Sequence, residues 1–268
     1  MKAYHLAIAV AALVGPAHFA SATVLDDFNN ALWLVDFRFD DVAGTQLPST
    51  LNSLDPLATF DVDTDNDLVV TNGSGMLDAS GKNNTDFGSN YVDLPTLSTG
   101  HVISLFEGSY SFDENVYDPA EDEEFRLTMI TFDPRSTFVT AETFFTRVSA
   151  TEVELYGNGV GTGSSDTPVL TLGSSGRFLT LLDADLDAHT FALFYSSDNG
   201  STFTQVGAGA LDPTRGVESL RLVINEDYSN DSLLIDRIAL ATYPFPEPTA
   251  ATMAWLGCLI VAPHRRRK

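Results

Sequence analysis

The sequence predicts an all-β protein built as two antiparallel sheets packed face to face. Three observations carry this reading. Helical periodicity is almost absent, short runs alternate apolar and polar residues, and clusters of Gly, Asn, Asp, Ser and Pro separate those runs. So many short strands with turn signals between them is the pattern of a sandwich.

The first strand is expected at 33–39, where Trp33, Val35, Phe37 and Phe39 share one face and Leu34, Asp36 and Arg38 the other. Asp40-Asp41-Val42-Ala43-Gly44 ends it. Further strands are expected at 67–71, 101–112, 125–132, 143–149, 151–156, 169–172 and 178–182. Four more follow at 189–196, 203–206, 219–224 and 233–240. Between two of these, Ser197-Asp198-Asn199-Gly200-Ser201 reads as a hairpin turn, because Asn and Gly accept positive φ. No Pro/Ser-rich linker or repeat divides the region, so residues 23–243 are read as one domain.

Both ends differ from this body. Residues 1–22 read as a secretory signal: Lys2 charges the n-region, 6–14 is the apolar core, and Ala20-Ser21-Ala22 fits the small-residue cleavage rule. Residues 244–268 hold a proline-rich break, Pro244-Phe245-Pro246-Glu247-Pro248, then an uncharged run, then His264-Arg265-Arg266-Arg267-Lys268. The prolines stop any regular element, and a basic cluster after an apolar run belongs on the cytoplasmic face of a membrane. The run from 249 to 262 is shorter than the roughly 20 residues of a full span, and Pro263 follows it.

In the order and terminal placement of its parts, this tail resembles the PEP-CTERM sorting signal of exported bacterial proteins. The resemblance implies a short transmembrane sorting helix that holds the exported chain transiently in the inner membrane. Its sorting residues would be Pro246, Glu247, Pro248, Arg265, Arg266 and Arg267. An exosortase-type membrane protease would then release the domain to the cell surface or extracellular matrix, commonly in bacteria that make exopolysaccharide.

Composition agrees with export. The formal charge is −23, from 14 basic and 37 acidic residues. Five of the basic residues lie at position 2 and at 265–268, so the processed domain is more acidic still. Such a chain does not bind nucleic acid by charge. The single cysteine, Cys258, lies in the tail, so the domain has neither disulfide nor thiolate chemistry.

Within the domain, the order of features resembles the concanavalin A-like, laminin-G-like jelly roll. Phe39-Asp40-Asp41-Val42-Ala43-Gly44-Thr45 is similar to its opening strand and turn, the hairpin around 197–201 to its central hairpin, and Leu233-Leu234-Ile235-Asp236-Arg237-Ile238-Ala239-Leu240 to its closing strand.

Two acidic features raise the question of calcium as a structural ion. Asp61, Asp63, Asp65 and Asp67 alternate along one loop, a spacing that a turning backbone can gather around a hard cation. The loop is not an EF-hand: Asn66 replaces the central Gly and Asn72 the twelfth-position Glu. A solvated acidic turn is the alternative, and both readings stay open. Asp236 shares a strand face with Leu234, Ile238 and Leu240, so it is expected to point inward or to lie at a sandwich edge. A carboxylate there needs a cation, an arginine or backbone donors, and the jelly-roll resemblance implies calcium. The triplet Asp183, Asp185 and Asp187 is a weaker version of the same idea.

No catalytic residue is assigned. The Glu-x-Asp-x-x-Glu strand of glucanases with this fold is absent; Glu152-Val153-Glu154 has the alternation without the other acids. There is no Gly-x-Ser-x-Gly elbow, and His101 and His189 are read as ordinary strand residues. The favoured reading is therefore a non-catalytic sandwich that binds glycan, exopolysaccharide included, or serves as a structural surface component. The alternative is a polysaccharide-active enzyme, a glycoside hydrolase or lyase, on the same sandwich. A carboxylate pair about 5–10 Å apart in a groove would favour the enzyme.

Overall fold

The computed structural model describes residues 31–55, 57–61, 68–71, 75–82, 90–119, 123–131, 138–159, 168–225 and 231–243. The expected signal at 1–22, the expected sorting tail at 244–268 and Asp63, Asp65 and Asp67 lie outside them. Among the described residues no helix is long and apolar enough to cross a membrane.

The chain forms a two-sheet antiparallel jelly-roll sandwich. Its strands are β1 Leu32–Phe37, β2 Val69–Val70, β3 Leu77–Asp78, β4 Tyr91–Leu97, β5 His101–Ser111, β6 Glu124–Ile130 and β7 Val139–Ser149. They continue as β8 Glu152–Asn158, β9 Leu170–Gly173, β10 Ser175–Asp185, β11 Thr190–Tyr195, β12 Thr204–Ala210, β13 Val217–Asn225 and β14 Ser232–Tyr243. The larger sheet runs β12-β11-β10-β5-β14-β3-β2, with β1 also on β14. The smaller runs β4-β13-β6-β7-β8-β9. The predicted strands are all present, and two that alternation does not reveal, β3 and β4, join them. Pro95 within β4 obscures its pattern, and β4 accordingly sits at an edge, where a missing N–H is tolerated.

The sheets meet over an aromatic core. Phe106, Phe125, Phe145 and Phe178 come from four strands of both sheets, with ring centroids 4.6–6.4 Å apart. Each of them is at most 1% exposed. Burying four such rings is among the largest single contributions a core of this size can receive.

Register slips occur in six of the described strand pairs, and two of them correct the reading of two strands. The register of β1 against β14 slips between Trp33 and Val35, so Trp33 faces outward opposite Ala241 while Val35 and Phe37 face the core. On β14 the register against β5 slips between Ile235 and Arg237. Leu233 and Ile235 therefore point inward before the bulge, and Ile238 and Leu240 after it. Asp236 falls at the slip and goes to the outer side rather than inward. A bulge inserts one unpaired residue, which shifts every later side chain by one position. The hairpin signal lies in the β11–β12 turn, with Asn199 at φ 56° and Gly200 at φ 83°.

Candidate ligand-binding face

The outer side of the smaller sheet carries an organised set of polar side chains. Antiparallel pairing places Arg221 opposite Thr128, Thr128 opposite Glu142, and Glu142 opposite Asn158. One row thus crosses β13, β6, β7 and β8. The neighbouring row on the same face holds Arg126, Phe144 and Tyr156. Cross-strand neighbours on one face lie close enough to interact directly, and the register of four strands builds both rows.

Glu142 is the hub of the first row. It is 1% exposed although it points away from the core. Its Oε2 accepts from Thr128 Oγ1 at 3.3 Å and lies 3.6 Å from Arg126 Nη1, while its Oε1 accepts from Asn158 Nδ2 at 3.3 Å. Burial pushes the Glu142 carboxyl up, against the pull of Arg126, Thr128, Arg221 and Asn158. Burial likewise brings the Arg221 guanidinium down to about 10, opposed by Glu142.

The second row is a stack. Arg126 lies over the Phe144 ring at 5.6 Å, and Phe144 stacks on Tyr156 with centroids 4.7 Å apart and planes 7° off parallel. Its acids are already engaged: Arg126 pairs with Glu124, and the Tyr156 hydroxyl donates to Glu154. On this face Arg126 Nε and Ser219 Oγ are buried without a hydrogen-bond partner among the described residues. Buried donors in this condition are costly unless something supplies an acceptor.

The outer side of the larger sheet is different. Arg237 Nε and Nη2 donate to the two Asp36 oxygens at 2.6 and 3.1 Å, and its guanidinium lies 5.2 Å over Trp33. Asp236 meets Arg177 Nη2 at 2.8 Å, and the same nitrogen is 3.4 Å from Glu107 Oε1. Of the partners Asp236 requires, the structure supplies an arginine. Burial first and Asp236 second raise the Glu107 carboxyl.

The other acidic features are also partly accounted for. Asp61 Oδ2 accepts from the Tyr91 hydroxyl at 2.8 Å. Asp183 meets His101 Nδ1 at 3.0 Å and the Tyr243 hydroxyl at 2.7 Å, Asp185 caps the turn at 187–188, and Asp187 accepts from the Gly100 N–H. Among the described residues no three His, Cys, Asp or Glu side chains gather as a metal site.

Of the calcium candidates singled out by sequence, Asp61, Asp236 and the weaker triplet Asp183, Asp185 and Asp187 lie among the described residues, on different parts of the fold. The Arg221–Thr128–Glu142–Asn158 row had no linear signature. Its members lie far apart along the chain, and only strand register brings them together.

No family model and no curated protein matches the chain. Among solved structures, the chain is similar to the CBM2 module of the evolved Dit of Lactobacillus casei BL23 phage J-1. The two share 9% identity at a TM-score of 0.48, over 80% of this chain and 98% of that one. It is similar also to basic winged bean lectin with Tn-antigen, at 11% identity and a TM-score of 0.44, over 80% and 98%. Peanut lectin with a nine-residue peptide is a third, at 14% and 0.41, over 71% and 93%. At these identities no residue correspondence is drawn.

Proposed function

We propose that this chain is an exported bacterial surface or matrix protein whose sandwich binds glycan, without cleaving it, on the outer side of the smaller sheet. The observation that carries the reading is the half-buried Arg126–Phe144–Tyr156 stack, set beside the buried Arg221–Thr128–Glu142–Asn158 row. A polyhydroxylated ligand needs polar groups fixed in place together with an aromatic surface; the stack offers Tyr156 and the Arg126 guanidinium, and the buried row of the same strands fixes the frame that holds them.

The organisation of the acids supports binding over catalysis. Both Glu142 oxygens are already engaged, and Glu124 and Glu154 are held by Arg126 and Tyr156. The enzymatic alternative has one observation in its favour: Glu107 and Asp236 share Arg177 Nη2, and Glu107 has a raised pKa, as in an acid and nucleophile pair. That pair lies across from the two rows, on the other sheet, and its arginine is 55% exposed. An exposed guanidinium held between two acids is an ordinary surface ion pair.

Export rests on the sequence. The signal at 1–22 and the tail at 244–268 fit a precursor held by its basic terminus and released by an exosortase near Pro246-Glu247-Pro248. Incubation of the domain with neutral and acidic exopolysaccharides, read for bound polymer and for new reducing ends, tests the reading. Binding without new ends is expected, and new ends abolished by Glu107→Gln would move the function to the enzyme.

A further inference from the structure

A cleft of about 600 Å³ opens where β8 and β12, from opposite sheets, approach one another. Its walls include Gly157, Gly159, Val169, Phe191, Gly207 and Ala208. The glycines are fixed by packing. A Cβ on Gly207 would stand 2.8 Å from Val169 Cγ1, and one on Gly159 would stand 2.6 Å from Phe191 Cδ1. Backbone amides and the apolar side chains of Pro168, Val169, Phe191 and Val206 therefore make up most of the surface, and none of the described lining residues is charged.

The cleft adjoins the first polar row. Asn158 lines it and donates through Nδ2 to Glu142 Oε1 at 3.3 Å. A ligand held on Tyr156, two residues from Asn158 on β8, thus has a neutral recess beside it. The edge strand also presents hydrogen-bonding groups. Leu211 N donates to His189 O at 2.8 Å, which makes 211 and 189 a hydrogen-bonded pair. Counting back in twos, 209 and 191 and then 207 and 193 are bonded pairs, so the N–H and C=O of Ala208 and Ala210 turn away from β11 toward the open edge of the sheet.

We infer that this cleft receives a neutral acetyl substituent carried on the glycan. The inference rests on the proposed glycan-binding face and adds the class of glycan it selects. The acetyl methyl suits Phe191 and Val169, and its carbonyl oxygen accepts from an edge N–H such as that of Ala208. A carboxylate or sulfate group would be desolvated there with no counter-charge among the described lining residues, which is costly.

The test uses acetylated glucomannan and N-acetylated chito-oligosaccharide, each beside its deacetylated form, with titration calorimetry on the domain. The acetylated forms are expected to bind about tenfold or more tightly, the scale on which a pocket discriminates one small group. Val169→Phe crowds the cleft and Pro168→Asp puts a charge in its lining. Both should erase the preference while leaving affinity for the deacetylated polymer unchanged, and the half-buried position of Pro168, outside any strand, keeps the second variant folded. Equal affinity for acetylated and deacetylated forms overturns the inference and leaves the glycan-binding face standing. Binding of neither form overturns both.

Discussion

Arg147 Nη1 donates to Glu123 Oε2 at 2.8 Å with the guanidinium wholly buried, and the same nitrogen reaches Asp231 Oδ2 at 3.4 Å. Its Nη2 donates to the Asp113 carbonyl at 2.8 Å, and Phe112 and Tyr117 each lie 5.2 Å from it. One side chain on β7 thereby ties together the ends of β5, β6 and β14. Removing one partner of a buried charge network leaves the others uncompensated. Arg147→Met should cost about 3–5 kcal/mol in urea unfolding. A loss below about 1 kcal/mol, the range of a surface pair, would contradict the account.

Glu107 gives the fold a pH dependence whose sign follows from its shift. Its folded pKa is raised above the ordinary carboxylate value, chiefly by burial and then by Asp236. The stability it contributes is present below the unfolded pKa and is lost as pH rises through the folded one. Glu107→Gln removes that dependence. The variant's melting temperature relative to wild type should therefore increase between about pH 4 and pH 7. A difference that stays constant, or reverses, would show that Asp236 and burial do not act on this carboxyl.

Gly108 sits on β5 opposite Ile235, beside the β14 bulge. A Cβ there would come 2.7 Å from Phe178 Cζ and would meet the Leu234 carbonyl oxygen. Gly108→Ala should destabilise by about 1–3 kcal/mol or more, as overpacking does. It should also disturb the bulge, seen as changed amide shifts at Ile235 and Arg237. Unchanged stability would mean the ring of Phe178 has room to move.

These residues also show what the sequence discloses. Alternation places the strands, and Asn199-Gly200 places a turn, because both depend on local conformational preference. Bulges are decided by the partner strand, so the face of Trp33 and the outward course of Asp236 could not be read from alternation. Gly108 within a strand is the signal that marks a close approach of this kind, although it does not say on which strand the slip falls. The two rows on the smaller sheet were illegible for a related reason. Glu142 and Phe144 alternate in a run like any other, and only the register of β6, β7, β8 and β13 brings Arg126, Asn158, Tyr156 and Arg221 beside them. The calcium expectation at 61–67 falls mostly outside the described residues.

The tail makes a separate prediction. Surface protein from the native host should end near Pro246-Glu247-Pro248, without Cys258 or the basic cluster. Glu247→Ala with Pro248→Ala should leave uncut precursor in the membrane fraction. Replacing Arg265, Arg266 and Arg267 with Ser should let some precursor escape uncut, because the basic cluster resists translocation. Intact mass decides it: surface protein ending at Lys268, unaffected by either change, would end the sorting hypothesis.

The most direct test of the central claim is glycan affinity measured on wild type, Tyr156→Ala and Asn158→Ala, each with wild-type circular dichroism. The account predicts measurable binding by the wild type to at least one exopolysaccharide, with no shortening of the polymer. Truncating an aromatic contact typically costs more than 1 kcal/mol, so Tyr156→Ala should bind about tenfold more weakly. Asn158→Ala should weaken binding as well, by removing the amide that holds Glu142. Affinity that is the same in all three proteins would place any glycan site elsewhere on the sandwich and contradict the account.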